Sequence, residues 1–110
     1  MSSKQKIAFK LIYIPCPTLE EAKGHAQSLL QKKLVACANI IPNISSLYWW
    51  GDQIQENQEV LLILKTSGPK VVEVIASIEL SHSYSSPAIL VIPITNLNAN
   101  YADWLNDQLA

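Results

Sequence analysis

Two β-rich segments flanking Tyr48-Trp49-Trp50-Gly51-Asp52 constrain this chain more than anything else in it. The first runs from Ala36-Cys37-Ala38-Asn39-Ile40-Ile41-Pro42 through Ile44-Ser45-Ser46-Leu47 into the aromatic run. The second, Glu59-Val60-Leu61-Leu62-Ile63-Leu64-Lys65-Thr66, is almost unbroken apolar sequence. Two such runs around a Gly-Asp pair specify a long β-hairpin. Leu61 to Leu64 place apolar side chains on both faces of their strand, so both faces must be dry. The hairpin also extends past what its own domain can cover, with Tyr48, Trp49 and Trp50 at the tip and Ile54 opposite. Aromatic side chains in that position predict a subunit interface, where Trp and Tyr are enriched.

The rest of the chain supplies partners for the hairpin in an alternating order. Ile7 to Ile14 reads as a strand ended by Pro15-Cys16-Pro17, whose prolines cannot donate to a ladder. Thr18 with Glu21 forms a capping box, so a helix starts there, Glu21 reaching back to the Thr18 amide. Leu19, Ala22, Ala26, Leu29, Leu30 and Lys33 make its apolar side. After Ser67-Gly68-Pro69 a second helix carries Val71, Ile75 and Ile78 inward and ends near Ser81. Ala88 to Ile92 reads as a buried strand stopped by Pro93, and a short helix from Tyr101 to Leu109, capped by Asn100, closes the chain. This βαββαβ order predicts an α+β fold, a ferredoxin-like sandwich with a mixed sheet and two helices on one face. Residues 1–110 are expected to form a single domain.

Charge and length narrow the function classes. Eight cationic side chains, all lysine, face nine carboxylates, for a net charge of −1. The absence of arginine removes the planar fork that grips phosphates and guanine edges, which argues against nucleic acid and phosphoryl transfer. The opening Met1 to Lys6 is polar and shows no cleavable leader, and no apolar run is long enough to span a membrane. A chain this small buries only about 60 to 70 per cent of its unfolded surface, so self-association is expected to help it.

The candidates for chemistry are two cysteines and two histidines. Cys37, between Ala36 and Ala38, reads as a packed core thiol. Cys16 lies just before a helix N-terminus, a place that lowers a thiol's pKa and makes a soft-metal donor. Both are expected to be free thiols in a reducing cytoplasm. His25 reads as a solvated helix residue beside Glu21. His82, at the end of the second helix, is a capping residue or a ligand. Glu56 and Glu59, three residues apart on a strand, point to opposite faces, and no nucleophile signature accompanies the thiols. No enzymatic activity is expected.

The wording Ala36-Cys37-Ala38-Asn39-Ile40-Ile41-Pro42, then Ser46-Leu47-Tyr48-Trp49-Trp50, then Glu59 to Thr66 closely resembles the CutA divalent-cation-tolerance family. His82, Tyr84 and Pro87 match a further signature of that family. Ser81, Ser83, Ser85 and Ala88 depart from it, standing where a second histidine, a proline, a polar or acidic residue and a glutamate are usual. The resemblance implies a homotrimer built around extended hairpins and a role in tolerance of divalent metal, copper above all; by the softness of their donors and their places at a helix start and a helix end, Cys16, with His82 as second ligand, is the expected metal site. The alternative is a signalling module resembling the PII proteins, holding a small anion in clefts between subunits.

Overall fold

The computed structural model describes residues 7–110; the polar opening segment 1–6 lies outside the described residues. Four strands form one sheet: β1 (Phe9–Cys16), β2 (Cys37–Trp50), β3 (Gln53–Ser67) and β4 (Leu90–Ile94). Helices α1 (Leu19–Gln31), α2 (Val71–Ser81) and α3 (Ala99–Leu109) connect and close it. The sheet order is β2-β3-β1-β4, and every pairing is antiparallel. The βαββαβ order is therefore as expected, but the sheet is not mixed. Each neighbouring pair runs in opposite directions because each helix returns the chain to a strand two places away.

The hairpin turns at Gly51-Asp52, and Gly51 has φ of 63°, the left-handed value that a two-residue turn with glycine in first place requires. Tyr13 pairs with Ile63, and β1 ends opposite Val60. Beyond that point Gln53 to Glu59 and Ile44 to Trp50 project as a two-stranded arm, which makes the molecule 56 Å long. A register shift between Ile41 and Ile44, at Pro42-Asn43, interrupts the regular ladder where the arm begins.

Ile12, Ile14, Cys16, Val60, Leu62 and Leu64 share one face and pack on Ala22, Ala26, Leu29, Val74 and Ile78 of α1 and α2. Phe9 belongs to the other face, where Leu105 and Leu109 of α3 cover it. The doubly apolar strand is thus covered by α1 and α2 on the face of Leu62 and Leu64, while α3 covers the other face only at its Phe9 end. Farther along, Ile41, Leu90 and Ile92 keep much of their surface exposed.

Several local expectations shift. β1 runs from Phe9 to Cys16, two residues beyond the expected span, because Pro15 sits where its missing N–H costs no ladder bond. β4 is Leu90–Ile94, not Ala88 to Ile92, and it is an exposed edge strand that contains Pro93. β4 has a partner on one side only, so Pro93 is tolerated there. The cap of α3 is Asn98 rather than Asn100. On α1, Leu19 and Leu30 are exposed and the buried stripe is Ala22, His25, Ala26 and Leu29.

The end of α1 carries a complete Schellman motif. Leu34 N–H donates to the Leu29 carbonyl and Lys33 N–H to the Leu30 carbonyl, both at 3.0 Å. The position that usually holds glycine is Lys33, at φ of 57°. Lys70 reinforces the turn by donating from Nζ to the Lys33 carbonyl at 2.7 Å and to the Leu109 carbonyl at 2.6 Å. A side chain in the left-handed region costs about 1–2 kcal/mol. Lys33→Gly is therefore expected to raise stability by up to about 1 kcal/mol, a gain of a few degrees in melting temperature by calorimetry. An unchanged or lower midpoint would mean that the Lys33 side chain itself stabilises the turn.

Candidate metal centre

The end of β1, the first turns of α1 and the end of α2 meet at one place because of the sandwich connectivity. β1 delivers Pro15 and Cys16, α1 delivers Glu21 and His25, and α2 delivers Ser81 and His82. Both imidazoles are buried, His25 with 6% and His82 with 8% of its surface exposed. Their rings stack with centroids 5.3 Å apart. Potential ligand atoms of Cys16, His25 and His82 all lie within 4.8 Å of one another.

The expected pair, Cys16 and His82, is therefore brought together, and His25 joins it. The expectation of a solvated His25 is overturned. His25 sits three residues after Ala22 and four before Leu29, on the stripe that faces the sheet. The sequence contained that spacing, but treating Leu19 and Leu30 as the stripe's edges rotated the face away from His25.

Glu21 organises the polar side of this cluster. Thr18 Oγ1 does cap the helix, accepting from the Glu21 amide at 3.1 Å, but the Glu21 carboxylate does not return to the Thr18 amide. Its Oε2 accepts instead from His25 Nε2 at 2.9 Å and from the Ser83 amide at 3.1 Å. His82 Nδ1 lies 3.4 Å from the same oxygen. Burial pushes the Glu21 carboxyl up, but bonds from Ser83 and His25 and the proximity of His82 outweigh it and hold the carboxyl below its ordinary value.

The partners of His82 fix its tautomer. The Pro15 carbonyl can only accept, so Nε2 carries a proton and donates to it at 3.0 Å. The Tyr84 amide can only donate, so Nδ1 offers its lone pair, at 3.0 Å. His25 Nδ1 lies 3.2 Å from Ser81 Oγ, whose hydroxyl also donates to the Ser77 carbonyl at 3.1 Å.

The two thiols differ from expectation in opposite ways. Cys16 is not activated by the helix start. Burial first, then the Glu21 and Glu59 carboxylates, push its thiol up to about 12. It is a protonated thiol whose nearest acceptor is the Ile14 carbonyl at 3.7 Å. Cys37 is not a core thiol: it is half-buried, opposite Lys65 across the hairpin and on the face away from α1 and α2. Both cysteines are free. Lys65 itself donates to Tyr101 OH at 3.1 Å.

Two imidazoles and one thiol form a soft to borderline donor set suited to copper or zinc, and unsuited to the hard oxygen-seeking cations. Each donor is already engaged, so an ion must displace a proton from Cys16 and at least one hydrogen bond from each ring. Only a strongly bound ion can do so.

The sequence profile of the CutA1 divalent ion tolerance protein family matches residues 10–108. The chain belongs to the CutA family. A divalent-cation tolerance protein CutA from Archaeoglobus fulgidus is 43% identical over 98 residues, 89% of this chain and 95% of that protein. A chloroplastic CutA protein from Oryza sativa subsp. japonica is 35% identical over 89% of this chain, which spans 55% of the rice protein's length. The crystal structure of CutA1 from Ehrlichia chaffeensis superposes with a TM-score of 0.91 at 40% identity, over 96% of this chain and 99% of that one. Among the described residues, no helix of this CutA chain is long and apolar enough to cross a membrane.

The serines at which the chain departs from the CutA signature now have structural roles. Ser81 engages His25, and the Ser83 amide, which a proline would lack, donates to Glu21. Because the Glu21 carboxyl is held below its unfolded value, it stabilises the fold above about pH 4, and that contribution is lost as pH falls through the lowered value. Glu21→Gln should lower the melting temperature at neutral pH and flatten its fall on acidification. Parallel acid limbs in the two proteins would remove Glu21 from the acid transition.

Proposed function

We propose that this chain acts as a trimeric, non-enzymatic CutA protein that responds to a soft or borderline metal ion, copper foremost. Cys16, His25 and His82 are the donors we assign to it, Cys16 and His82 being those that the sequence singles out. The observation that carries this reading is the convergence of three potential ligand atoms within 4.8 Å at a buried junction of three elements. Buried, close-set donors of this kind favour a metal in its reduced or borderline state. The free thiols fit a reducing compartment, and we assign the protein to the cytoplasm.

A trimer is proposed because Ile41, Leu90 and Ile92 leave apolar surface on the sheet, and Tyr48 and Trp50 continue the same face along the arm. Light scattering after size exclusion should give the mass of three chains at micromolar concentration. A monodisperse single-chain mass would overturn the assembly.

The reading as an anion-binding module of PII type receives less support. The large groove beside the hairpin has Glu59 as its one charged lining residue, and the chain lacks arginine. A carboxylate there repels an anion.

Metal uptake must release the Cys16 proton. With that thiol at about 12, the apparent affinity for copper should rise by about tenfold per pH unit through the neutral range. Titration of the reduced protein, monitored by calorimetry, should show loss of binding in Cys16→Ser and weaker binding in His25→Ala and His82→Ala. Equal affinity in the wild type and all three variants would leave the metal response without a site here.

A further inference from the structure

We infer that the cleft between α1 and α2 is the port through which the metal ion enters and leaves the buried centre. The inference rests on the assignment of Cys16, His25 and His82 as the donors. Glu21, Gly24, His25 and Ser28 recur at helical spacing and form one stripe of α1, and Ser77 and Ser81, one turn apart, face them from α2. The cleft they line has a volume of about 270 Å³, room for an ion with several of its waters.

Of the three donors, only His25 borders this cleft. Both of its ring nitrogens meet other lining residues: Nδ1 lies 3.2 Å from Ser81 Oγ, and Nε2 donates to Glu21 Oε2 at 2.9 Å. Cys16 is fully buried, and the His82 ring, itself without exposed surface, stacks on His25 behind the cleft. An ion in the cleft therefore meets Glu21 and His25 first and the two deeper donors afterwards.

Charge and assembly favour the same path. Glu21 is the one carboxylate lining the cleft and no lysine opposes it, so a cation is drawn in and an anion repelled. The serine hydroxyls offer oxygens to an ion that is shedding water. The cleft belongs to the helix layer, on the face of the sheet opposite Ile41, Leu90 and Ile92, so the proposed trimer leaves it open. The other approach, past Pro15 and Tyr84, opens into the groove beside the arm, on the face that the trimer covers. Gly24 keeps the mouth of the port wide. A Cβ added there would meet no atom within 4 Å, so a side chain can be built into the opening without a clash.

The test follows uptake of copper(I) by the full chain in its native assembly, reduced and anaerobic, in stopped flow. The near-ultraviolet copper–thiolate absorbance reports arrival at Cys16, and excess chelator in solution then reads release. Gly24→Phe fills the mouth and removes no donor. It should slow uptake and release alike by at least about tenfold and leave the equilibrium affinity within about twofold, because a barrier on the path acts equally in both directions. Gly24→Ala should keep the wild-type rates, which separates plugging from improved helix propensity. Ser77→Phe repeats the plug from the facing helix, melting curves show which variants keep the fold, and either folded plug suffices. Wild-type rates in a folded plug variant would overturn the port and leave the centre intact. Slower uptake with unchanged release would also overturn it, since the substitution would then act on the centre and not on the path. Absence of the copper–thiolate absorbance in the wild type would overturn the reading of the centre itself, and the port with it.

Discussion

One carboxylate oxygen, Glu21 Oε2, holds together the parts of this molecule that carry chemistry. It accepts from His25 on its own helix and from the Ser83 amide beyond α2, and it faces His82. It thereby ties α1 to the end of α2 at the point where β1 finishes. An interaction shared between two donors near the protein interior is worth more than an isolated surface pair, because ordering one side chain serves several contacts. Burial keeps Cys16 a protonated thiol, and the charge of this oxygen, with that of Glu59, adds to the effect. The centre is thus closed while protonated, and an ion must compete with internal bonds to enter it.

The second constraint is the doubly apolar strand β3. A sheet with two apolar faces needs cover on both, and a chain of 110 residues has limited material for it. α1 and α2 cover one face, while α3 reaches only the end marked by Phe9. The arm and the edge strand β4 remain open, and their apolar residues are the physical basis of the proposed assembly. On the arm, Tyr48 and Trp50 continue the open face of the sheet, while Leu47, Trp49 and Ile54 lie on the other face.

The hairpin, the two sheet-covering helices and the order of elements were legible because they rest on local signals: the apolar run at Leu61 to Leu64, the Gly51-Asp52 turn and the Thr18 cap. Long-range partners were not. Glu21 was visible as a capping-box residue, but the capping box leaves open whether the carboxylate returns to its own helix or crosses to another, and tertiary donors at Ser83 and His25 decided that. His25 was hidden by an apolar stripe drawn one position too wide. Cys16 was read from its place before a helix start, a favourable but small effect, while burial and two carboxylates that only the fold brings near reversed its direction. Ala88 to Ile92 looked buried by composition; its edge position depends on sheet order, which local sequence does not encode. The Tyr84 to Glu59 bond joins residues distant in the chain and had no sequence signal beyond the family resemblance.

The account turns on whether a soft ion replaces the proton on Cys16 between two imidazoles. X-ray absorption spectroscopy on the reduced protein loaded with one equivalent of copper reads the ligand atoms directly. The arrangement of Cys16, His25 and His82 predicts a first coordination sphere containing sulfur at about 2.3 Å together with imidazole nitrogen. A sphere of nitrogen and oxygen alone, with no sulfur scatterer, would contradict it.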